Sequence, residues 1–543
     1  MSRLLKRLTK RLGRGNSSKH KSKAPEQTTV VYEAISANLS NNLEQMKQLL
    51  GVSPDIKFRE FKLAGEMHAF MVYVEELVNI AIIENNILKT LMFQAQATGD
   101  PGRRLINLNL LNKIKQSALT VGEVKEARTF SQAVEAVLSG DTAIFIEGED
   151  TAIIAGTKQW KSRALEEPVV ESVVRGPRIG FNENLMTNVM LLRRAIKSPD
   201  LQFEMRILGK YTKTNVCIVY IKSIVNPKVL AEVKKRLERV RTDDVGGASY
   251  IHEVIEDSPY SLFPTVAFTE RPDTVSAKLI EGRVAILVDG TPFVMTVPTI
   301  FVEFFQSAED YYTKYLTSSL VRWIRLLAFF ITLFLPVLYV AVETFHQEML
   351  PTSLLISMFA AKEGVPFPTF VEILIMGITF EILREAGVRM PRPVGQAVSI
   401  VGALVLGDAA VSAGLASTSA VIVTGMTAIA GFVVPIPEII GGLMFLRLFL
   451  LVLAASFGLF GVMLGTIVIL IELAAMNSFG VPYLAPFAPG NLSDLKDTLV
   501  RAPWWAMGSR PGFIGGRKMS RQGAGLKPSP SANEEKELVH NEE

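Results

Sequence analysis

The chain has 543 residues, 49% hydrophobic and 20% charged, with a formal net charge of +4 and a single cysteine. That length holds two or three ordinary domains, the small net charge gives no ground for a nucleic-acid partner, and one cysteine excludes an internal disulfide. The averages conceal a split. Before Trp323 the sequence is mixed and charged, whereas from Pro393 to Ile471 only Asp408, Glu438 and Arg447 carry charge, against roughly 20 in a soluble stretch of that length. The expected architecture is an α/β two-lobed cytoplasmic domain followed by an α-helical polytopic membrane domain.

In chain order, residues 1–24 form a basic arm. "MSRLLKRLTKRLGRGNSSKHKSK" holds nine Lys/Arg and no acid, and no apolar core of signal-peptide length follows it. It reads as a disordered segment touching anionic membrane lipids. The first lobe is placed at 25–175 and the second at 176–315, with the join near 160–185. "TVVYEAISANLSNNLEQMKQLLG" reads as a helix ending at Gly51, and "DTAIFIEGEDTAIIAGTK" as two short strands about a Gly-Glu-Asp turn. "LQFEMRIL" and "NVCIVYIK" read as strands, with Cys217 a buried, inert thiol. "NPKVLAEVKKRLERVR" reads as a helix with Pro227 near its start. "RVAILVDGTPFVMTVP" pairs two strands across Asp289-Gly290.

This half carries no recognisable chemistry. The five histidines (His20, His68, His252, His346, His540) lack metal-ligand spacing, and no phosphate loop or nucleophile elbow is present. No catalytic residue, metal site or cofactor is assigned, and an enzyme is not expected. Arg175, Arg178, Arg193 and Arg194 cluster within one stretch. They read either as a site for an anion or neighbouring subunit, or as a solvated face.

The membrane domain is placed at 320–480, with four to six spans. Trp323 to Val342 is long enough to cross a bilayer, with Arg322 and Arg325 at its cytoplasmic end and Pro336 as a potential kink. Residues 351–361 read as a re-entrant or interfacial piece, and 368–387 as a helix in the interface or lining an aqueous cavity. Glu372, Glu381 and Glu385 lie on that helix, the last two on one face and in need of Arg384 or Arg389 as partners. Val394 to Val434 has room for two spans, and the stretch from Gly441 for two shorter spans or one long hairpin. If the helix continues past Gly407, Asp408, Ser412 and Ser419 share a face on a segment of small residues, Gly402, Gly407 and Gly414 among them. A polar stripe on small residues fits a pore wall or a subunit seam; a transporter site and a simple interfacial position are the alternatives. The tail, 481–543, reads as mostly disordered and cytoplasmic.

Three stretches, "VVRGPRIGF" with "LLRRAIKSPDL", "LIEGRVAILVDGTPFVMTVPTIFVEFFQSAEDYY", and "PFPTFVEILIMGITFEILREAGVRMPRPVGQAVSIVGALVLGDAAVSAGL", resemble the GerA-type spore germinant receptor A subunit family. The resemblance covers most of the chain from about 140 to 480. It implies a multi-pass subunit of the spore inner membrane working with a permease-like B subunit and a lipoprotein C subunit. It also implies that a nutrient, an amino acid or sugar, reaches the chain indirectly through the B subunit. The A subunit would form a homo-oligomer whose membrane part opens as a cation channel. Asp408, Ser412, Ser419, Glu372, Glu381 and Glu385 are then the candidate ion pathway, and Gly402, Gly407 and Gly414 the candidate seam. The competing readings are a downstream ion-release protein of the same family, a secondary transporter, and a membrane scaffold.

Overall fold

In the computed structural model the described residues are 34–51, 53–63, 67–94, 123–159, 167–168, 170–389, 406–435, 437–491, 494–514, 516, 519–523 and 526–528. The basic arm 1–24, Gly402, Arg517, Lys518 and the end of the tail lie outside them.

Each soluble lobe is built on a five-stranded antiparallel sheet. In the first lobe β1 (Ile56–Leu63), β2 (Met67–Val74), β3 (Val124–Ala127), β4 (Thr142–Ile146) and β5 (Ala152–Ala155) are ordered β1-β2-β4-β5-β3. In the second, β6 (Leu201–Leu208), β7 (Thr214–Ile221), β8 (Ala267–Thr269), β9 (Val284–Val288) and β10 (Val294–Val297) are ordered β6-β7-β9-β10-β8. The two orders are the same, and so is the register. Ile56 pairs with Val74 as Leu201 pairs with Ile221, and Thr142 with Ala155 as Val284 with Val297. The N-terminal half is therefore a tandem repeat.

The repeat extends to its caps. Helix α1 (Leu39–Leu50) is capped by Asn38, whose side chain accepts from Asn41 N; helix α2 (Leu185–Ala195) is capped by Asn184, accepting from Thr187 N. Four residues into each helix an asparagine accepts from the backbone N–H two residues before the cap, Asn42 from Ser36 at 3.0 Å and Asn188 from Asn182 at 2.9 Å. These bonds satisfy donors that a helix start otherwise leaves open. They also shorten the first helix: it begins after Asn38 and not at "TVVYEA", because Ser36 and Asn38 hold the chain extended there.

Both faces of each sheet are covered. Strand residues such as Phe70, Phe145, Phe203 and Cys217 join α1 and α2 in one core that spans both lobes. The far faces pack separately, under the helical segment 80–94 in lobe 1 and under α3 (Pro227–Arg239) and α4 (Ala248–Ile255) in lobe 2. Between lobes sits Arg193. It is fully buried, against both sequence readings of the arginine cluster: its Nε donates to Asp55 Oδ2 at 2.9 Å and its Nη2 to Asp55 Oδ1 at 3.1 Å. Arg175 and Arg178 remain exposed.

The C-terminal half is helical: α5 (Tyr315–Phe345), α6 (Thr352–Lys362), α7 (Thr369–Arg389), α8 (Thr418–Val433) and α9 (Pro437–Ala475). Helix α5 passes through Pro336 without a break. Among the described residues two helices, Tyr315–Phe345 and Glu438–Ala475, are long and apolar enough to cross a membrane. The second doubles back at Gly458 (φ 62°, ψ −142°). Gly461 and Gly465 there lie against Leu453 and Leu450 of the outgoing arm, so the stretch is the hairpin that the sequence allowed. Only a glycine fits that turn, since a Cβ on it would stand 2.7 Å from the His346 ring.

Candidate functional site

The inner face of α5, the end of α6 and the start of α7 meet at a cluster of charge inside apolar surroundings. Glu343 comes from α5, Lys362 from α6, and Thr369 and Glu372 from α7. Lys362 Nζ lies 3.0 Å from Glu343 Oε1 and 3.4 Å from Glu372 Oε1, and also donates to Thr369 Oγ1. Glu372 is fully buried and Glu343 nearly so. Glu372 Oε2 accepts from Ser417 N at 2.9 Å. Ser417 caps α8 and its hydroxyl lies 3.2 Å from that of Ser419, which in turn sits 2.9 Å from Tyr339 OH. Four segments thus contribute to one polar site.

The site is under-neutralised. Two carboxylates face one ammonium: Glu343 Oε2 is buried without a hydrogen-bond partner, and Glu372 Oε1 has only the 3.4 Å ion pair to Lys362. A buried carboxylate oxygen left in that state is costly and marks a place where a cation is favoured.

A second charged station lies further along α7. Glu381 Oε2 is 2.7 Å from Arg384 Nη2, and Glu381 Oε1 is 3.3 Å from Arg447 Nη2 on α9. At ~1.5 Å per residue it stands roughly 13 Å from Glu372 along the helix axis. It borders a cleft of about 220 Å³ lined by Pro336, Gly377, Thr427 and Leu451 among others. Glu385 pairs instead with Arg389 on the exposed side of α7, so both acids find the arginines that their spacing required.

The other predicted residues fall elsewhere. Asp408 and Ser412 lie on the helical segment 406–412 and are exposed. Ser419 does not continue their line: Gly414 takes φ +66° and ends that segment before α8 begins at Thr418. The expected single stripe is therefore two surfaces, Asp408 with Ser412 on one and Ser419 in the buried cluster. A Cβ at Gly407 would meet Val421 at 3.6 Å, an ordinary contact, whereas one at Gly414 would meet Gly364 O at 2.7 Å. Gly414 thus serves a close contact within the chain, and Gly407 is not required by its surroundings. Sequence reading missed Glu343 and Lys362. Glu343 falls just past the Trp323–Val342 span, and Lys362 just outside the 351–361 piece; only their approach in space joins them to Glu372.

Two junctions tie this bundle to the soluble repeat. Arg322 and Arg325 are buried rather than lying free at a membrane edge: Arg322 Nε donates to Asp310 Oδ2 at 2.9 Å and its Nη1 to Asp497 Oδ1 at 2.8 Å, and Arg325 Nη1 reaches Asp310 Oδ1 at 2.8 Å. Asp497 and Arg501 thereby draw part of the segment 481–543 into the fold, where Arg501 donates to Thr313 O. Tyr311, half-buried among these groups and bonded to Asp497, is pushed well above its ordinary pKa by burial and then by that carboxylate. At the other junction, after α9, Ser478 Oγ accepts from Thr299 N and donates to Thr265 O, and Phe479 N donates to Asp257 Oδ2.

Fold and site define a protein of two parts, a duplicated α/β domain clasped to an apolar helical bundle that holds charge. The model of the Bacillus/Clostridium GerA spore germination protein family matches residues 44–513, and the chain belongs to that family. It is 41% identical to spore germination protein KA of Bacillus subtilis (strain 168) over 501 residues, 92% of this chain and 91% of that one. It is 42% identical to the uncharacterized membrane protein YfkQ of the same strain over 478 residues, 88% and 91% of the two chains. The crystal structure of the N-terminal domain of the A subunit of the Bacillus megaterium spore germinant receptor GerK3 is 32% identical, with a TM-score of 0.40, covering 50% of this chain and 98% of that one.

Proposed function

We propose that this chain is the A subunit of a nutrient germinant receptor and that it triggers spore germination as part of an oligomeric, nutrient-gated cation channel. Its partners in this reading are a permease-like B subunit, which takes the nutrient, a lipoprotein C subunit, and further copies of itself. The chain crosses the spore inner membrane several times, keeps its duplicated domain in the cytoplasm, and performs no catalysis. The observation that carries the reading is the Glu343–Lys362–Glu372 cluster, two buried carboxylates sharing one ammonium inside an apolar bundle. Carboxylates so placed attract cations, and a passive anchor has no use for them. The apolar exterior of α5 and α9, with Trp323, Leu327, Phe330, Phe445, Val452 and Phe460 all exposed, supports a lipid setting.

The test is potassium release from cells making the chain with its B- and C-type partners, with and without nutrient, alongside Glu372→Gln, Glu381→Gln and Asp408→Asn. Release that requires nutrient and partners, and that changes in Glu372→Gln, supports the channel. An assembled complex that releases no potassium with any nutrient would move the reading to a downstream ion-release relative or a scaffold. Saturable uptake of a solute by the chain alone would make it a transporter.

A further inference from the structure

Lys362 is the last residue of α6, and among the described residues its ammonium is the only positive charge paired with Glu343 or Glu372. Oxygens surround it: Glu343 Oε1 at 3.0 Å, Glu372 Oε1 at 3.4 Å and the Thr369 hydroxyl. Glu343 Oε2, buried and unpartnered, is a further acceptor on the same carboxylate. An ammonium donates in three directions, and carboxylate and hydroxyl oxygens are also the ligands that hard metal cations take. The donor set therefore suits a free cation as well as it suits a lysine.

The two sides of this contact are unequally held. Glu372 is fully buried and fixed by Ser417 N at 2.9 Å, and Glu343 belongs to the well-packed inner face of α5. Helix α6 buries none of its own side chains, and Leu354, Ile356 and Phe359 are all exposed on it. Lys362 itself is a point charge on a flexible stem. Withdrawing it breaks its polar contacts and little packing, but leaves two buried carboxylates without their counter-charge, a strongly unfavourable state. A cation entering the vacated position removes that cost.

We propose that Lys362 is a tethered stand-in for a monovalent cation, its ammonium filling a site that takes potassium when α6 moves away. The inference rests on the channel in the proposed function and gives its charged cluster an occupant and a means of closure. The exchange is one unit of charge for one. Among the described residues no three metal-ligating side chains gather to hold a divalent ion, and a conducted ion must be able to leave as well as enter.

Lys362→Met keeps the stem and ends it where the ammonium begins. The full-length variant and the parent chain are purified in nanodiscs, and Tm is read in potassium, ammonium, calcium or bulky N-methylglucamine chloride at equal ionic strength. Potassium and ammonium are each expected to raise the Tm of the variant by about 2 °C or more over N-methylglucamine, with the parent unmoved. Glu372→Gln in the same background is expected to abolish the shift. If the variant folds only in potassium or ammonium, the folded yield reports the same dependence. An equal shift in parent and variant, no shift in a folded variant, stabilisation by calcium alone, or a variant that folds in none of these salts would overturn the proposal. In cells making the B- and C-type partners, Lys362→Met is expected to release potassium without nutrient. Potassium binding with no release from an assembled complex would leave the site standing and remove the channel reading.

Discussion

Replacing Asp55 by Asn tests what holds the two lobes together. Asp55 and Arg193 are 1% and 0% exposed, and the carboxylate takes two of the guanidinium's donors, with Ser53 Oγ accepting a third contact at 3.2 Å. The amide keeps the shape and one acceptor but strands the Arg193 charge. Stranding one partner of a buried pair costs about 3–5 kcal/mol. Because Ser198 O and Leu201 O still accept from Arg193 Nη1, the lower end applies, ~3 kcal/mol, or about a hundredfold in the docking equilibrium. Hydrogen exchange of the Leu185–Ala195 amides in the full chain reads this opening directly, since α2 is the element that the clasp pins. The double variant Asp55→Leu with Arg193→Met strands no charge and is expected to recover most of the protection. A change under tenfold in Asp55→Asn would refute the clasp as the fastening of the lobes.

Three further outcomes follow from the geometry. Gly458→Ala puts a side chain at φ 62° against Phe345 and His346; a strain of ~1–3 kcal/mol plus the clash is expected to reduce folded chain in the membrane fraction, as counted by protease resistance. Burial pushes the Glu303 carboxyl up, but Arg283 and then Lys278 outweigh it and hold it below its ordinary value of 4.5. Its contribution is therefore complete above pH 4.5 and is lost as pH falls through the lower folded value; Glu303→Gln is expected to be less stable at neutral pH and to change less on acid titration. Burial also pushes the Cys217 thiol up, so maleimide labelling is expected only after unfolding, and ready labelling of folded chain would show the sheet of lobe 2 to be open.

Strand pairs with glycine turns were legible because local chemistry decides them. Gly148 and Gly290 take φ 84° and 83° at the two hairpins that the sequence marked. The short helix α6 and the helix with Glu372 were legible as separate pieces for the same reason, since prolines bound them. The repeat was present in the letters, as Ser53-Pro54-Asp55 and Ser198-Pro199-Asp200, yet reading strands and helices singly does not compare one lobe with the other. Arg193 was misread because an arginine run looks solvated until the opposing Asp55, far away in sequence, closes on it. The line from Asp408 to Ser419 failed at one residue, Gly414, whose left-handed backbone no periodicity shows.

The two junctions decide how an event in the soluble repeat reaches the charged bundle. Asp310 receives Arg322 and Arg325 from the first turns of α5, while Asp497 binds Arg322 and Tyr311 from the tail. The start of α5 is thereby fixed to lobe 2 and to the segment beyond α9 at once. Glu343 lies at the other end of the same unbroken helix, bonded to Lys362. In the channel proposed above, a shift of lobe 2 carried along the 31 residues of α5 would displace Glu343 relative to Glu372 on α7. The second junction, Ser478 and Phe479 on Thr265, Thr299 and Asp257, ties the returning arm of α9 to the same lobe. Lobe 2 therefore grips the bundle at two helices, whereas α7 has no such fastening among the described contacts. In that proposed channel, relative motion between the gripped helices and α7 would change the space between the two carboxylates.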